Sequence, residues 1–103
     1  MKVVVTPEAQ IELNGIWNWN AKEKGVRHAD SYLAFLDREI DGLAKNYAEG
    51  KQVGTRSDLR YIQMRRKARG KTHLAVYTVG DSEVTVVHVF HSSHDSENKL
   101  AHE

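Results

Sequence analysis

The chain has 103 residues, 40% of them apolar, and a formal net charge of +1, which suits a single domain spanning residues 1–103 that buries roughly two-thirds of its unfolded surface without staples. It contains no cysteine, so disulfides, thiol chemistry and cysteine-ligated zinc or iron–sulfur sites are excluded. The N-terminal MKVVVTP is too short for a signal-peptide core and no run approaches membrane-spanning length, so a soluble cytoplasmic protein is expected.

Lys2 to Val5 reads as a short strand. Thr6-Pro7-Glu8 then announces a helix, with a hydroxyl at the N-cap, proline at the first helical position and a carboxylate near the positive dipole end. Ala9, Leu13, Ile16, Trp17 and Asn20 share one face, and Gly25 is the natural stop after Lys24. A second helix follows almost at once. Ala29, Tyr32, Leu33, Leu36, Ile40, Leu43, Ala44 and Tyr47 form one apolar stripe, expected to run on through Gly42 at a cost of about 1 kcal/mol. So short a connection makes the two helices antiparallel neighbours.

After the loop marked by Gly50 and Gly54 the period becomes two. Leu59, Tyr61 and Gln63 alternate with Arg60, Ile62 and Met64, Gly70 closes a turn, and His73 to Val79 is the next strand. Gly80-Asp81-Ser82 turns the chain into a last strand, Val84 to His91. Strict alternation there sets Val84, Val86 and Phe90 on one face and Val87 and Val89 on the other, so that strand is expected to be central in the sheet. The expected fold is α+β in the order β-α-α-β-β-β, an antiparallel sheet covered by a helical hairpin.

Charge is split along the chain. Residues 51–71 carry eight Lys or Arg against the single Asp58, whereas residues 1–50 carry six basic and eight acidic side chains. Arg60, Arg65, Arg66, Lys67, Arg69 and Lys71 therefore form a candidate patch for an anionic or acidic target; solubility on a charged edge strand is the alternative. On the first helix Ile11, Gly15 and Trp19 make a second line at spacing four, facing away from the core stripe. An exposed tryptophan beside a glycine is a candidate partner anchor, unless it folds back onto the sheet edge or the neighbouring helix.

His88, His91 and His94 invite a metal reading, but in a strand His88 and His91 point to opposite faces. No metal or other cofactor is expected. Metal-independent ribonuclease chemistry needs a base, an acid and cations for the phosphorane charge. Arg65, Tyr77 and His91 supply that inventory, although any basic α+β domain with a few histidines would do so.

Taken in order, several segments resemble the ParE branch of the ParE/RelE toxin superfamily of bacterial type II toxin–antitoxin modules. They are Val-Val-Thr-Pro-Glu-Ala-Gln-Ile-Glu-Leu-Asn-Gly-Ile-Trp near the start, Ala29 to Leu43, Leu59-Arg60, Leu74-Ala75-Val76-Tyr77, and Val86 to Asp95. The resemblance implies a RelE/ParE-like fold and a toxin held inactive by a cognate antitoxin. A ParE-type member is expected to trap DNA gyrase on cleaved DNA and not to act as an enzyme. The alternative is a RelE-like ribosome-dependent endoribonuclease acting on messenger RNA. The long hairpin and the tail Ser96-Glu97-Asn98-Lys99-Leu100-Ala101 resemble ParE more closely, while Arg65, Arg66, Lys67 and Arg69 are more basic than a gyrase poison obviously requires.

Overall fold

The computed structural model describes residues 1–68 and 70–92; Arg69, His94, Asp95 and the tail lie outside the described residues. The elements are β1 (Lys2–Val5), α1 (Pro7–Lys24), α2 (Val26–Asp41), α3 (Leu43–Asn46), a 3-10 turn (Tyr47–Glu49), β2 (Lys51–Val53), β3 (Arg56–Arg65), β4 (Thr72–Val79) and β5 (Glu83–His91). The α+β arrangement, a helical hairpin laid over one face of a sheet, is the one implied by the sequence.

The helix ends follow from local chemistry. Thr6 Oγ1 accepts the Ala9 N–H at 3.2 Å, satisfying one of the first-turn donors. Gly25 ends α1 through its N–H to the Ala21 carbonyl and opens α2 by offering its own carbonyl to the Ala29 N–H. Its φ of 95° is one that glycine adopts without strain. Trp17 Nε1 donates to Asp30 Oδ1 at 2.8 Å, which pins the hairpin together. The stripe expected to continue unbroken to Tyr47 is interrupted at Gly42, where α2 gives way to α3. Glycine propagates a helix poorly, yet Gly42 keeps right-handed backbone angles and Leu43 still reaches the core.

Strand order is β1-β5-β4-β3-β2. Neighbours are antiparallel from β2 through β5, but β1 joins β5 in parallel. The sheet is therefore mixed and five-stranded, where a wholly antiparallel one of four strands was expected. The parallel register sets Val3 beside Val84 and Val5 beside Val86, and all four pack in or against the main core. β5, the strand expected at the centre, is flanked on both sides but lies next to the edge strand β1, and the central place belongs to β4, buried continuously from Thr72 to Tyr77.

One register shift matters for the site. Val76 pairs with His88 but Tyr77 pairs with Val86, so Val87 is an extra residue and alternation slips by one. Val84, Val86 and Val89 then share the helix-covered core with Leu13, Leu36, Ile40, Met64 and Tyr77. Val87 and Phe90 pack on the opposite face beside Leu59, Leu74 and Val76. That corrects the expected grouping of Phe90 with Val84. Among the described residues no helix is long and apolar enough to cross a membrane.

Candidate functional site

β1 covers the outer edge of β5 only as far as Val86. Beyond it, α1 takes over the unpaired backbone groups. Thr6 Oγ1 donates to the Val87 carbonyl at 3.4 Å, and Glu12 Oε1 accepts the Val89 N–H at 3.1 Å while standing 3.3 Å from His88 Nδ1. Past Glu12 a groove of about 580 Å³ opens between α1 and the end of β5, lined by Gly15, Ile16, Trp19, Val89, Phe90 and His91 among others. Gly15 leaves open space above its backbone. Trp19 is 47% exposed, and the Lys71 ammonium sits 3.1 Å from its ring centroid, a cation–π contact between hairpin and sheet. Of the α1 line, Gly15 and Trp19 thus enter the groove. Ile11 is 69% exposed, farther back along the helix and outside the groove lining.

The six-residue basic patch does not act as one unit. Arg60 reaches away from the others, donating Nη1 to the Gly50 carbonyl at 2.9 Å. Arg65 Nε donates to Thr72 Oγ1 at 2.8 Å, bridging β3 to β4. Arg66 is held by the Ser31 hydroxyl of α2. Lys67 and Lys71 flank the β3–β4 turn, and Arg69 falls outside the described residues. The turn thus gathers Arg65, Arg66, Lys67 and Lys71, with Arg60 serving the β2–β3 side.

Tyr77 and His91, the candidate proton-transfer pair, stand apart. Tyr77 has no exposed surface, and its hydroxyl donates to the Tyr47 carbonyl at 2.7 Å. The phenol lies so close to Gly50 that a Cβ there would fall 1.9 Å from its oxygen. Burial pushes the Tyr77 pKa up. His91 instead pairs across the sheet with His73, four residues away along β4, or roughly 13 Å at about 3.3 Å per residue. His88 and His91 also take separate partners, Glu12 and His73.

His73 carries a perturbation the sequence did not suggest. It is 4% exposed, its Nδ1 lies 2.5 Å from the Tyr32 hydroxyl, and the His91 ring meets it edge-on at 5.3 Å. Burial first, then the charges of His91 and Lys71, lower its pKa from 6.5 to about 4. In that interval the unfolded chain holds a proton that the folded chain does not. Stability is therefore full above about pH 6.5 and falls as pH drops, with a loss on the order of 3 kcal/mol by about pH 4. Urea midpoints are expected to decline from about pH 7 to about pH 4.5, and to decline less in His73→Phe. Equal slopes in the two proteins would assign the loss to other groups.

The profile of the family described as "ParE toxin of type II toxin-antitoxin system, parDE" matches residues 3–96. Two curated relatives, each called Toxin ParE1, come from Mycobacterium tuberculosis strains CDC 1551 / Oshkosh and ATCC 25618 / H37Rv. Each is 28% identical over 99 residues, covering 96% of this chain and 97% of its own. A solved structure described as "Chromosomal ParDE TA system from P. aeruginosa" aligns with a TM-score of 0.77 over 90% of this chain and 97% of that one, at 15% identity. That structural match is a likeness of fold; the profile spans nearly every described element, and the chain belongs to the ParE toxins of type II toxin–antitoxin systems.

Proposed function

We propose that this toxin inhibits DNA gyrase by binding, through the basic end of the sheet, and is neutralised in the cytoplasm by a cognate antitoxin segment laid along α1 and its groove. The observation that carries the choice of a non-enzymatic mechanism is the burial of Tyr77. Its hydroxyl is spent on the Tyr47 carbonyl, so the proton-transfer pair that a ribonuclease needs does not meet. What remains exposed is a binding surface of fixed cations beside an apolar groove. The test is incubation of the toxin with gyrase and supercoiled plasmid. Accumulation of gyrase-cleaved DNA is expected, and uninhibited supercoiling together with cleavage of messenger RNA on ribosomes would favour the endoribonuclease instead.

The antitoxin surface rests on Trp19 and Gly15. A segment mixing Asp or Glu with apolar residues would cover the groove and meet Lys71, and such segments fold as they bind. Trp19→Ala is expected to weaken the complex by roughly 2 kcal/mol, about 30-fold in Kd. Calorimetry giving an unchanged Kd would remove Trp19 from the interface.

A further inference from the structure

Next to the apolar groove lies a smaller pocket of about 90 Å³, walled by the end of α1, the start of α2 and the β3–β4 turn. Lys24, His28, Arg66, Lys67 and Lys71 all line it. Two of these cations are held there by neutral groups. Lys71 rests on the face of Trp19, and Arg66 is fixed by the Ser31 hydroxyl. Among the described residues no carboxylate lies within ion-pair distance of Lys24, Arg66, Lys67 or Lys71; Glu23 acts on Lys71 only at longer range.

Like charges gathered without counter-charge repel one another, a cost that a bound anion removes. We propose that this pocket binds a phosphate group, with Lys24, Arg66, Lys67 and Lys71 supplying charge-assisted donors to its oxygens and His28 closing the rim. A phosphate suits the site better than a single carboxylate. Its oxygens spread in several directions and can meet donors arriving from the end of α1 and from along the β3–β4 turn at once, whereas a carboxylate presents two oxygens in one plane.

His28 registers the crowding. Desolvation first, then the charges of Lys24, Arg66, Lys67 and Lys71, hold its pKa below the ordinary histidine value. An anion seated among those cations reverses that pressure. The pocket deepens the gyrase reading, because it names what the inner part of the basic patch takes, but the geometry stands without gyrase.

The experiment is an NMR titration of the His28 ring in the full chain, with neither gyrase nor antitoxin present, so it can fail while gyrase inhibition stands and succeed while that reading fails. The probes are inorganic phosphate, a short oligothymidylate and an oligoglutamate peptide. We expect the His28 midpoint to rise by about one pH unit or more with a phosphate-bearing probe. A rise with inorganic phosphate alone would place the source among free phosphates, and a rise with oligothymidylate would place it in nucleic-acid backbone. Lys24→Gln combined with Lys67→Gln is expected to weaken that binding about tenfold or more, and Lys51→Gln, on β2, to leave it unchanged. No movement of His28 with either phosphate probe, or movement with oligoglutamate alone, would overturn the proposal.

Discussion

Leu36→Ala is expected to remove about 2–5 kcal/mol of folding stability, out of a total on the order of 5–10 kcal/mol for a domain of this size. Leu36 has no exposed surface and sits in the main core with residues from α1, α3, β3, β4 and β5. The lost side chain leaves a cavity whose walls come from several elements, so collapse on one side opens a gap on another. The hairpin also resists moving inward. Trp17 ties α1 to α2 through Asp30, and Tyr32, one turn before Leu36, is tied to His73 of β4. With a denaturant slope of about 1.5 kcal/mol/M, a loss near 3 kcal/mol lowers the urea midpoint by about 2 M. A shift equivalent to less than about 1 kcal/mol would mean that α2 is loosely packed at its centre.

What the sequence reveals of this fold is what local chemistry writes into adjacent residues. The Thr6-Pro7 start, the Gly25 hinge and the apolar stripe of α2 each depend on neighbours a few positions away, and each stands where expected, the stripe as far as Gly42. The parallel pairing of β1 with β5 does not. Four residues, Lys2 to Val5, carry no mark of which way their partner runs eighty positions later. β2 escaped notice because Lys51-Gln52-Val53 between two glycines has the composition of a loop, and its pairing is made by β3. The bulge at Val87 was hidden for the opposite reason. From Val84 to Phe90 the five apolar side chains fall on both faces, broken only by Thr85 and His88, so the pattern has little phase to lose.

The site shows the same division. The run from Arg60 to Lys71 announces positive charge, but not that Arg60 is occupied by the Gly50 carbonyl while Arg66 is turned towards α2. Lys24 and His28 were missed because they reach the pocket from the helix junction, some forty residues earlier in the chain. A signal was present: Lys24, Arg27 and His28 surround Gly25, and the first turn of α2 has no acidic residue. Helix starts usually favour carboxylates, so a basic start without one is a place where an external anion is welcome.

Toxicity is expected to fall only partly in His91→Ala but steeply in the double reversal Arg65→Glu with Arg66→Glu. For a binding toxin no proton passes through His91, so its loss trims one exposed contact at the end of β5. The double reversal changes the turn by four charge units, where Arg65 is braced by Thr72 and Arg66 by Ser31. Cations already held in place bind with less loss of side-chain freedom, so their reversal costs both attraction and pre-organisation. Arg60 is left alone because its bond to the Gly50 carbonyl would confuse folding with function. A ribonuclease predicts the reverse order, since removal of a general acid or base typically costs about 10²–10⁴-fold in rate. Growth of cells expressing each variant, with thermal melts to show that both fold, reads the difference. Messenger RNA cleaved by the parent toxin and spared by His91→Ala would sink the gyrase mechanism.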